Sequence, residues 1–222
     1  NDKCGLENLG ATCYVNSGLQ QIFNIEPLRN FIISKTDFID SSMQALHKLF
    51  SPMMFSHRKF IDMHSFASQW TGWDGAAIDP KEQQDVNDFL MLLFSKLEIY
   101  PDVYDLFTGE TEMQFTNTET NEIVSTQKTT FSTFPLIVVD QKSIKDSMKI
   151  ANIPEIIDNY KVDDKSSPIR VQSTNVINSL PPYLFIQLKR FDYSIETQTR
   201  IKIDQRYEFE FEFDFKDYVN FT

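Results

Sequence analysis

The sequence predicts an α+β fold in which helices come first and strands follow. Over the first hundred residues, apolar side chains recur at helical spacing, whereas after Pro101 the chain is rich in threonine and other β-branched residues. Between Tyr207 and Phe215, aromatic and acidic residues alternate strictly, which is typical of a half-buried strand. All the predicted strands are compatible with antiparallel pairing.

Three segments of the first hundred residues have helical patterns. One begins at Cys13 and is limited by Pro27, and a second covers roughly residues 42–50. A third is expected to begin at Asp79, with that residue as its cap and Glu82 closing a capping box. Its apolar stripe should lie on a core and consists of Val86, Phe89, Leu90, Leu93 and Leu97.

Strand patterns occupy most of the remaining chain. Residues 112–116 and 123–126 are predicted to form a hairpin with a polar turn. A short helix is expected to begin at Ser143, and strands are expected over residues 169–177 and 183–191.

Composition limits the class of protein. The chain has 222 residues, of which 41% are hydrophobic, so it can bury a sizeable core. No apolar run, 134–139 included, approaches the ~20 residues of a membrane-spanning helix, so we expect no membrane association. The net charge of −11 disfavours nucleic acid and anionic surfaces and favours a basic partner.

The start of the chain and its two cysteines indicate the cellular compartment of the protein. It begins without methionine or a secretory signal, so we expect a trimmed chain or an interior piece of a longer one. Cys4 and Cys13 are too close in sequence for a strongly stabilising bridge. Reduced thiols in an intracellular compartment, the cytoplasm, the nucleus or both, are therefore expected.

Cys13 is the candidate nucleophile. At the front of a helix, unpaired backbone N–H groups and the helix dipole favour the thiolate. The alternative for a lone cysteine in an amphipathic helix is a small buried hydrophobe. The neighbouring residues favour catalysis, because Gly5 and Gly10 permit close backbone approach and Asn8 can donate an N–H to an oxyanion.

Three motifs resemble the ubiquitin-specific proteases, papain-like cysteine peptidases that cleave after the C-terminal glycine of ubiquitin. Residues 5–20 match the family's cysteine box, GLxNLGxTCxxNSxLQ, at every fixed position. Residues 83–89 match its QQDxxEF signature, with Asp88 in place of glutamate, and residues 180–191 match its LPxxLxIxLKRF strand. The motifs occur in the family's order along the chain.

The resemblance implies a papain-like fold of thumb, fingers and palm. Residues 1–105 would form the helical thumb, 106–180 the β fingers and 181–222 the first strands of an incomplete palm. Within it, Cys13 would be the nucleophile and Asn8 the oxyanion donor, and no cofactor is implied.

The same resemblance assigns a channel for the extended, arginine-bearing tail of ubiquitin. Its lining residues would be Gln83, Asp85, Asn87 and Asp88, since carboxylates bind arginine through charge-assisted hydrogen bonds. The alternative for the two aspartates is a solvated helix face. Trp73 belongs either to a mobile loop near the cleft or to the core.

Three features depart from the family pattern. Papain-like chemistry needs a histidine base, but the family's histidine box does not occur and the three histidines lie in other contexts, at His47, His57 and His64. Residues 107–177 contain neither cysteine nor histidine, so no zinc ribbon and no metal are expected. Gln187 occupies a position of the LPxxLxIxLKRF strand at which histidine is frequent in the family.

The sequence therefore predicts a deubiquitinase that uses cysteine nucleophilic catalysis, with ubiquitin and ubiquitinated proteins as partners. The base is expected from a segment missing from this chain, so that the 222 residues alone would be inactive. The alternative is a catalytically inactive pseudo-deubiquitinase that binds ubiquitin.

Overall fold

Most helices lie in the first half of the chain and most strands in the second, which confirms the α+β prediction. The computed structural model describes residues 4–164, 166–194 and 198–220. The chain divides into two units, residues 1–104 and residues 105–222. Over the described ranges, no helix is long and apolar enough to cross a bilayer.

The first unit is built from helices and two short strands. The strands β1 (Gly5–Leu6) and β2 (Phe60–Ile61) pair in parallel. The helices are α1 (Cys13–Phe23), α2 (Glu26–Ser34), α3 (Ser41–Phe55), α4 (His64–Gln69), α5 (Val86–Leu97) and α6 (Pro101–Tyr104). As predicted, α1 ends before Pro27, which lies in the first turn of α2.

The packing of α1 against α5 forms part of the core of the first unit. A Cβ added at Gly18 of α1 would lie only 3.1 Å from the ring of Phe89 on α5, so the glycine allows the helices to approach closely. Leu19 and Leu93 are fully buried, and each such side chain contributes roughly 1.5–3 kcal/mol. The predicted core-facing stripe of α5 is confirmed.

The predicted start of α5 at Asp79 is wrong. The helix begins at Val86, and its N-cap is Asp85, whose Oδ1 accepts a hydrogen bond from the backbone N–H of Asn87 at 2.8 Å. The carbonyl of Pro80 accepts instead from the N–H of Ala11 at 2.7 Å. Because that long-range bond uses the carbonyl, the segment forms a turn rather than the first turn of a helix.

Helix α3 extends beyond the predicted segment 42–50. It is capped by Asp40, whose Oδ1 accepts from the backbone N–H of Met43 at 2.9 Å. The other carboxylate oxygen pairs with Lys96 of α5 at 3.0 Å. The helix continues past its internal Pro52 to Phe55.

The second unit contains a four-stranded antiparallel sheet. Its elements are β3 (Gly109–Asn117), β4 (Ile123–Phe131), β5 (Thr133–Ile137), α7 (Ile144–Ala151), β6 (Glu155–Tyr160), β7 (Ile169–Ser179), β8 (Phe185–Lys189), β9 (Phe191–Ser194) and β10 (Thr199–Lys202). The sheet order is β4-β3-β7-β6, and β3 with β4 confirms the predicted hairpin. Phe115 stacks on Tyr160 with 4.8 Å between ring centroids, which adds apolar packing to the backbone pairing.

A separate pair, β5 and β8, runs parallel, so the expectation of antiparallel pairing throughout is wrong. A core cluster around this pair includes Leu136 of β5, Met148 of α7 and Ile177 of β7. The predicted strand over 183–191 is interrupted at Arg190, whose guanidinium donates to the carbonyl oxygens of Ile203 and Gln205. The predicted helix at Ser143 is confirmed, with Ser143 as its N-cap.

The predicted half-buried strand over 207–215 is also wrong. The segment forms an isolated bridge at Glu208 and then bends, and its aromatic side chains do not share one face. Tyr207 is buried, whereas Phe209 and Phe211 are exposed. An alternating pattern needs a neighbouring strand along its whole length, and this segment has none among the described residues.

Candidate functional site

The candidate site is built around the loop that leads from β1 into α1. Cys13 is the first residue of α1, and its thiol is exposed. The alternative of a small buried hydrophobe is therefore wrong for this cysteine. Cys13 thus begins the first helical turn, whose backbone N–H groups have no partner within the helix.

Side chains of α1 hold the segment that precedes this loop. The Asn16 Nδ2 group donates to the carbonyl oxygen of Glu7 at 3.1 Å, and the Gln20 Nε2 group donates to that of Cys4 at 2.8 Å. The same segment is also held by the backbone N–H of Gly5, which donates to the carbonyl oxygen of Lys59 at 2.8 Å. The amide side chains that follow Cys13 in the cysteine box therefore hold the chain segment that precedes the loop.

Gly10 allows the loop to approach the segment before α5. Its φ is +135°, in a region that L side chains rarely adopt, and a Cβ there would lie 2.7 Å from the carbonyl oxygen of Pro80. The adjacent Ala11 N–H donates to that same oxygen at 2.7 Å. The cysteine loop and the turn that precedes the QQDxxEF motif are thus held together through backbone.

Asn8 lies in this loop with its amide oxygen engaged. Oδ1 accepts from the backbone N–H of Gly10 at 3.1 Å and from the hydroxyl of Thr12 at 3.0 Å. Because both partners donate, the carbonyl side of the amide faces them, and the NH₂ group points away from them. The side chain is exposed, so this NH₂ group is accessible to a ligand.

A groove of about 640 Å³ begins at Tyr14, the residue that follows Cys13. Every charged side chain in its lining is acidic: Asp74, Asp79, Glu82 and Asp88. The Tyr14 hydroxyl donates to Oε1 of Gln84 at 3.3 Å. Burial raises the pKa of Tyr14, and the nearby Glu82 carboxylate and Cys13 thiol add to the increase.

The four predicted tail-binding residues are placed differently from one another. Asp88 lines the groove, whereas Gln83, Asp85 and Asn87 are not among the lining residues. Asp85 uses one carboxylate oxygen to cap α5. Sequence reasoning missed Gln84, although it lies inside the QQDxxEF motif.

The two tryptophans have different roles. Trp70 is buried and stacks on Phe66 with 5.3 Å between ring centroids. Trp73 is 68% exposed and lines the groove together with Asp74. The core alternative for Trp73 is therefore wrong, and the residue contributes an aromatic surface to an otherwise acidic groove.

The three histidines are engaged elsewhere or exposed to solvent. His47 contacts the carbonyl oxygen of Ile32 through Nδ1 at 2.8 Å, and His64 contacts Asp62 at the same distance. His57 is exposed. No hydrogen bond joins a histidine to Cys13 in the part of the chain that the structure describes.

Glu7, Asp62 and His64 each offer a ligand atom, and these atoms lie within 4.8 Å of one another. The backbone N–H and ring of His64 donate to the Asp62 carboxylate and hold the pKa of that carboxyl below its usual range. Because these bonds already use the carboxylate, we assign no metal to the group.

Comparison with known proteins adds a family and several relatives. The family model described as ubiquitin carboxyl-terminal hydrolase matches residues 4–222. The chain is 30% identical over 215 residues to ubiquitin carboxyl-terminal hydrolase 7 of Drosophila melanogaster, with 91% of the chain and 19% of that protein covered. It is 31% identical over 215 residues to ubiquitin carboxyl-terminal hydrolase 5 of Schizosaccharomyces pombe, with the same coverage. The chain thus spans about a fifth of the length of these relatives.

Proposed function

Because the chain belongs to the ubiquitin carboxyl-terminal hydrolase family, as its three motifs predicted, we propose that it is part of a deubiquitinase. The reaction is hydrolysis of the peptide or isopeptide bond that follows the terminal glycine of ubiquitin. Ubiquitin and ubiquitinated proteins are its partners. The relatives carry the name of this activity, and the cysteine loop has the groups that the activity requires.

The observation that carries the proposal is the exposed Cys13 thiol at the start of α1, in the same loop as an outward-facing Asn8 amide. The thiolate attacks the carbonyl carbon, and the carbonyl π electrons move to oxygen. The Asn8 N–H stabilises that oxyanion in the resulting tetrahedral intermediate. When the tetrahedral intermediate collapses, the bond to the amine breaks and the amine takes up a proton. Water then hydrolyses the thioester that joins Cys13 to the terminal glycine of ubiquitin.

We assign the proton transfers to a histidine outside residues 1–222. Thiol proteases use such a base to accept the thiol proton and to protonate the leaving amine. His47 and His64 are hydrogen-bonded to other groups, and His57 is exposed with no hydrogen bond to Cys13 among the described residues, so none of the three is the candidate. On this assignment the 222 residues supply the nucleophile and the oxyanion donor, and the rest of the full-length protein supplies the base.

The acidic groove beside Tyr14 is the proposed site for the cationic tail of ubiquitin. Its four carboxylates suit arginine side chains, and Trp73 offers a face for a guanidinium group. Asp88 keeps its role as a tail-binding residue in this proposal, and Gln84 joins it. Gln83, Asp85 and Asn87 stay as predicted contacts at the margin of the groove.

The architecture of the family extends the proposal to the rest of the chain. Residues 1–105 form the thumb, 106–180 the fingers and 181–222 the first palm strands. The fingers hold their shape through antiparallel pairing and aromatic stacking, with no ribbon of zinc ligands in their sequence. The extended strands β3 and β7 are consistent with a surface that receives the folded body of ubiquitin.

Labelling of the full-length protein with a ubiquitin probe that carries a C-terminal electrophile tests this function. We expect the wild type to form a covalent adduct and Cys13→Ala to form none. Cys4→Ala is the matched control, because Cys4 is half-buried and burial raises the pKa of its thiol, so labelling should be unchanged.

Three outcomes separate the alternatives. Equal labelling of wild type and Cys13→Ala would refute the assignment of the nucleophile. Binding of ubiquitin by the full-length protein without labelling or hydrolysis would support the inactive pseudo-deubiquitinase. Absence of both binding and labelling would refute the proposed function.

A further inference from the structure

We propose that Thr12 is a positioning residue that holds the Asn8 amide with its N–H groups toward the reacting carbonyl, an inference that rests on the function proposed above. The orientation of this amide matters in the step in which the oxyanion forms, because only an N–H group can stabilise the negative oxygen.

Thr12 occupies the N-cap of α1, but its hydroxyl does not cap the helix. A threonine at this position ordinarily accepts a hydrogen bond from the N–H two or three residues later. Here the hydroxyl instead accepts from the Leu9 N–H at 3.1 Å and donates to Oδ1 of Asn8 at 3.0 Å. The helix thus lacks a side-chain cap, which ordinarily contributes about 1 kcal/mol to stability. The hydroxyl instead makes both of its hydrogen bonds within the loop.

The hydrogen-bond directions determine the orientation of the amide. The Leu9 N–H can only donate, so the single hydroxyl hydrogen of Thr12 is left to point at Asn8. The Gly10 N–H also donates to Asn8, at 3.1 Å. Two donors on the same side require oxygen there and leave the NH₂ group on the opposite side. Rotation of the amide by 180° would place its NH₂ group against the Gly10 N–H and the Thr12 hydroxyl, which are both donors.

Burial makes the Thr12 contact the more durable of the two. Thr12 is only 2% exposed, whereas the hydrogen bond between Gly10 and Asn8 lies at the exposed surface. The Thr12 bond is partly buried, and a hydrogen bond that is partly shielded from water is electrostatically stronger than one at the surface. Thr12 therefore restricts the rotation of Asn8 before substrate binds, which reduces the reorganisation needed in the transition state.

The same residue links the donor to the nucleophile. Thr12 directly precedes Cys13, and its carbonyl accepts the first hydrogen bond of α1 from the Asn16 N–H at 3.0 Å. A single residue thus orients the amide and begins the helix that carries the thiol.

The test is a double-mutant cycle on the full-length protein, with ubiquitin carrying a C-terminal fluorogenic amide as substrate. We expect Thr12→Val to lower kcat about 5- to 10-fold with KM unchanged. Thr12→Ser keeps the hydroxyl and should retain wild-type kcat. Asn8→Ala should lower kcat about 100-fold, and adding Thr12→Val to it should cause no further loss. Thr12→Ala serves as a second variant if valine disturbs folding.

The outcomes distinguish this inference from the proposed function. A wild-type protein that does not turn over substrate would overturn both. An active wild type whose Thr12→Val and Thr12→Ala variants retain full kcat would overturn the inference alone. So would an equal loss of kcat on Thr12→Val with Asn8 present and with Asn8→Ala, because a purely structural role does not depend on the amide.

Discussion

Replacement of Gly10 by alanine should destabilise the first unit and disrupt the cysteine loop. The φ of +135° costs an L residue about 1–3 kcal/mol. The new Cβ would lie 2.7 Å from the Pro80 carbonyl oxygen and push it away from the Ala11 N–H, which forfeits about 0.5–1.5 kcal/mol. The expected loss in unfolding free energy is therefore about 2–4 kcal/mol.

Gly75→Ala is the matched control for this substitution. Gly75 also has a positive φ, +78°, but a Cβ there would meet nothing within 4 Å. This substitution should lower the unfolding free energy only through the strain of the positive φ, by about 1–2 kcal/mol. The difference between the two variants combines the close approach of the loop to Pro80 with the greater backbone strain expected at a φ of +135°.

Urea denaturation followed by tryptophan fluorescence measures both variants, because Trp70 and Trp73 are the only tryptophans and both belong to the first unit. Hydrogen exchange at the Ala11 amide provides a local readout, and its protection should fall in Gly10→Ala alone. The reasoning is refuted if Gly10→Ala is no less stable than Gly75→Ala, or if the Ala11 amide stays equally protected.

Two further predictions concern the first unit. Leu93→Ala should lower the unfolding free energy by about 2–5 kcal/mol, since Leu93 is fully buried; Ile39→Ala, at a side chain 93% exposed, should change it by less than about 0.5 kcal/mol in the same denaturation assay. Burial alone would raise the pKa of Asp40, but hydrogen bonds from Lys96 and the Met43 N–H lower it overall. This carboxylate therefore stabilises the fold above about pH 4, and its contribution is lost as the pH falls through the folded-state pKa. Asp40→Asn should be less stable at pH 7 and should show a shallower decline in stability at acidic pH, whereas an unchanged acid profile would contradict the assignment.

The part of the cysteine loop around Asn8 was predictable because its contacts there are local. The bonds from Gly10 and Thr12 to Asn8 span two and four residues, and the one from Asn16 to Glu7 spans nine. Such contacts depend on residue types at fixed spacing, which a motif records directly. The exposure of Cys13, by contrast, was left open by the sequence and is given by the structure.

The failed predictions share a dependence on distant partners. Asp79 has the sequence features of a helix cap, but the Pro80 carbonyl is bound by Ala11, nearly seventy residues earlier. The alternation after Tyr207 has the period of a strand, but a strand also needs a neighbour to receive its backbone hydrogen bonds. Neither partner can be identified from the period or composition of the segment itself.

The sequence by itself determined the α+β class and the family and named Cys13 and Asn8 as the candidate nucleophile and oxyanion donor, because these rest on residue types and their spacing along the chain. Only the tertiary structure decided where α5 begins, that Gln84 and Trp73 line an acidic groove, and that Thr12 gives its hydroxyl to Asn8 rather than to its own helix. The physical reason is that a polar group can satisfy its hydrogen-bonding capacity in several ways, and the packed chain selects one of them.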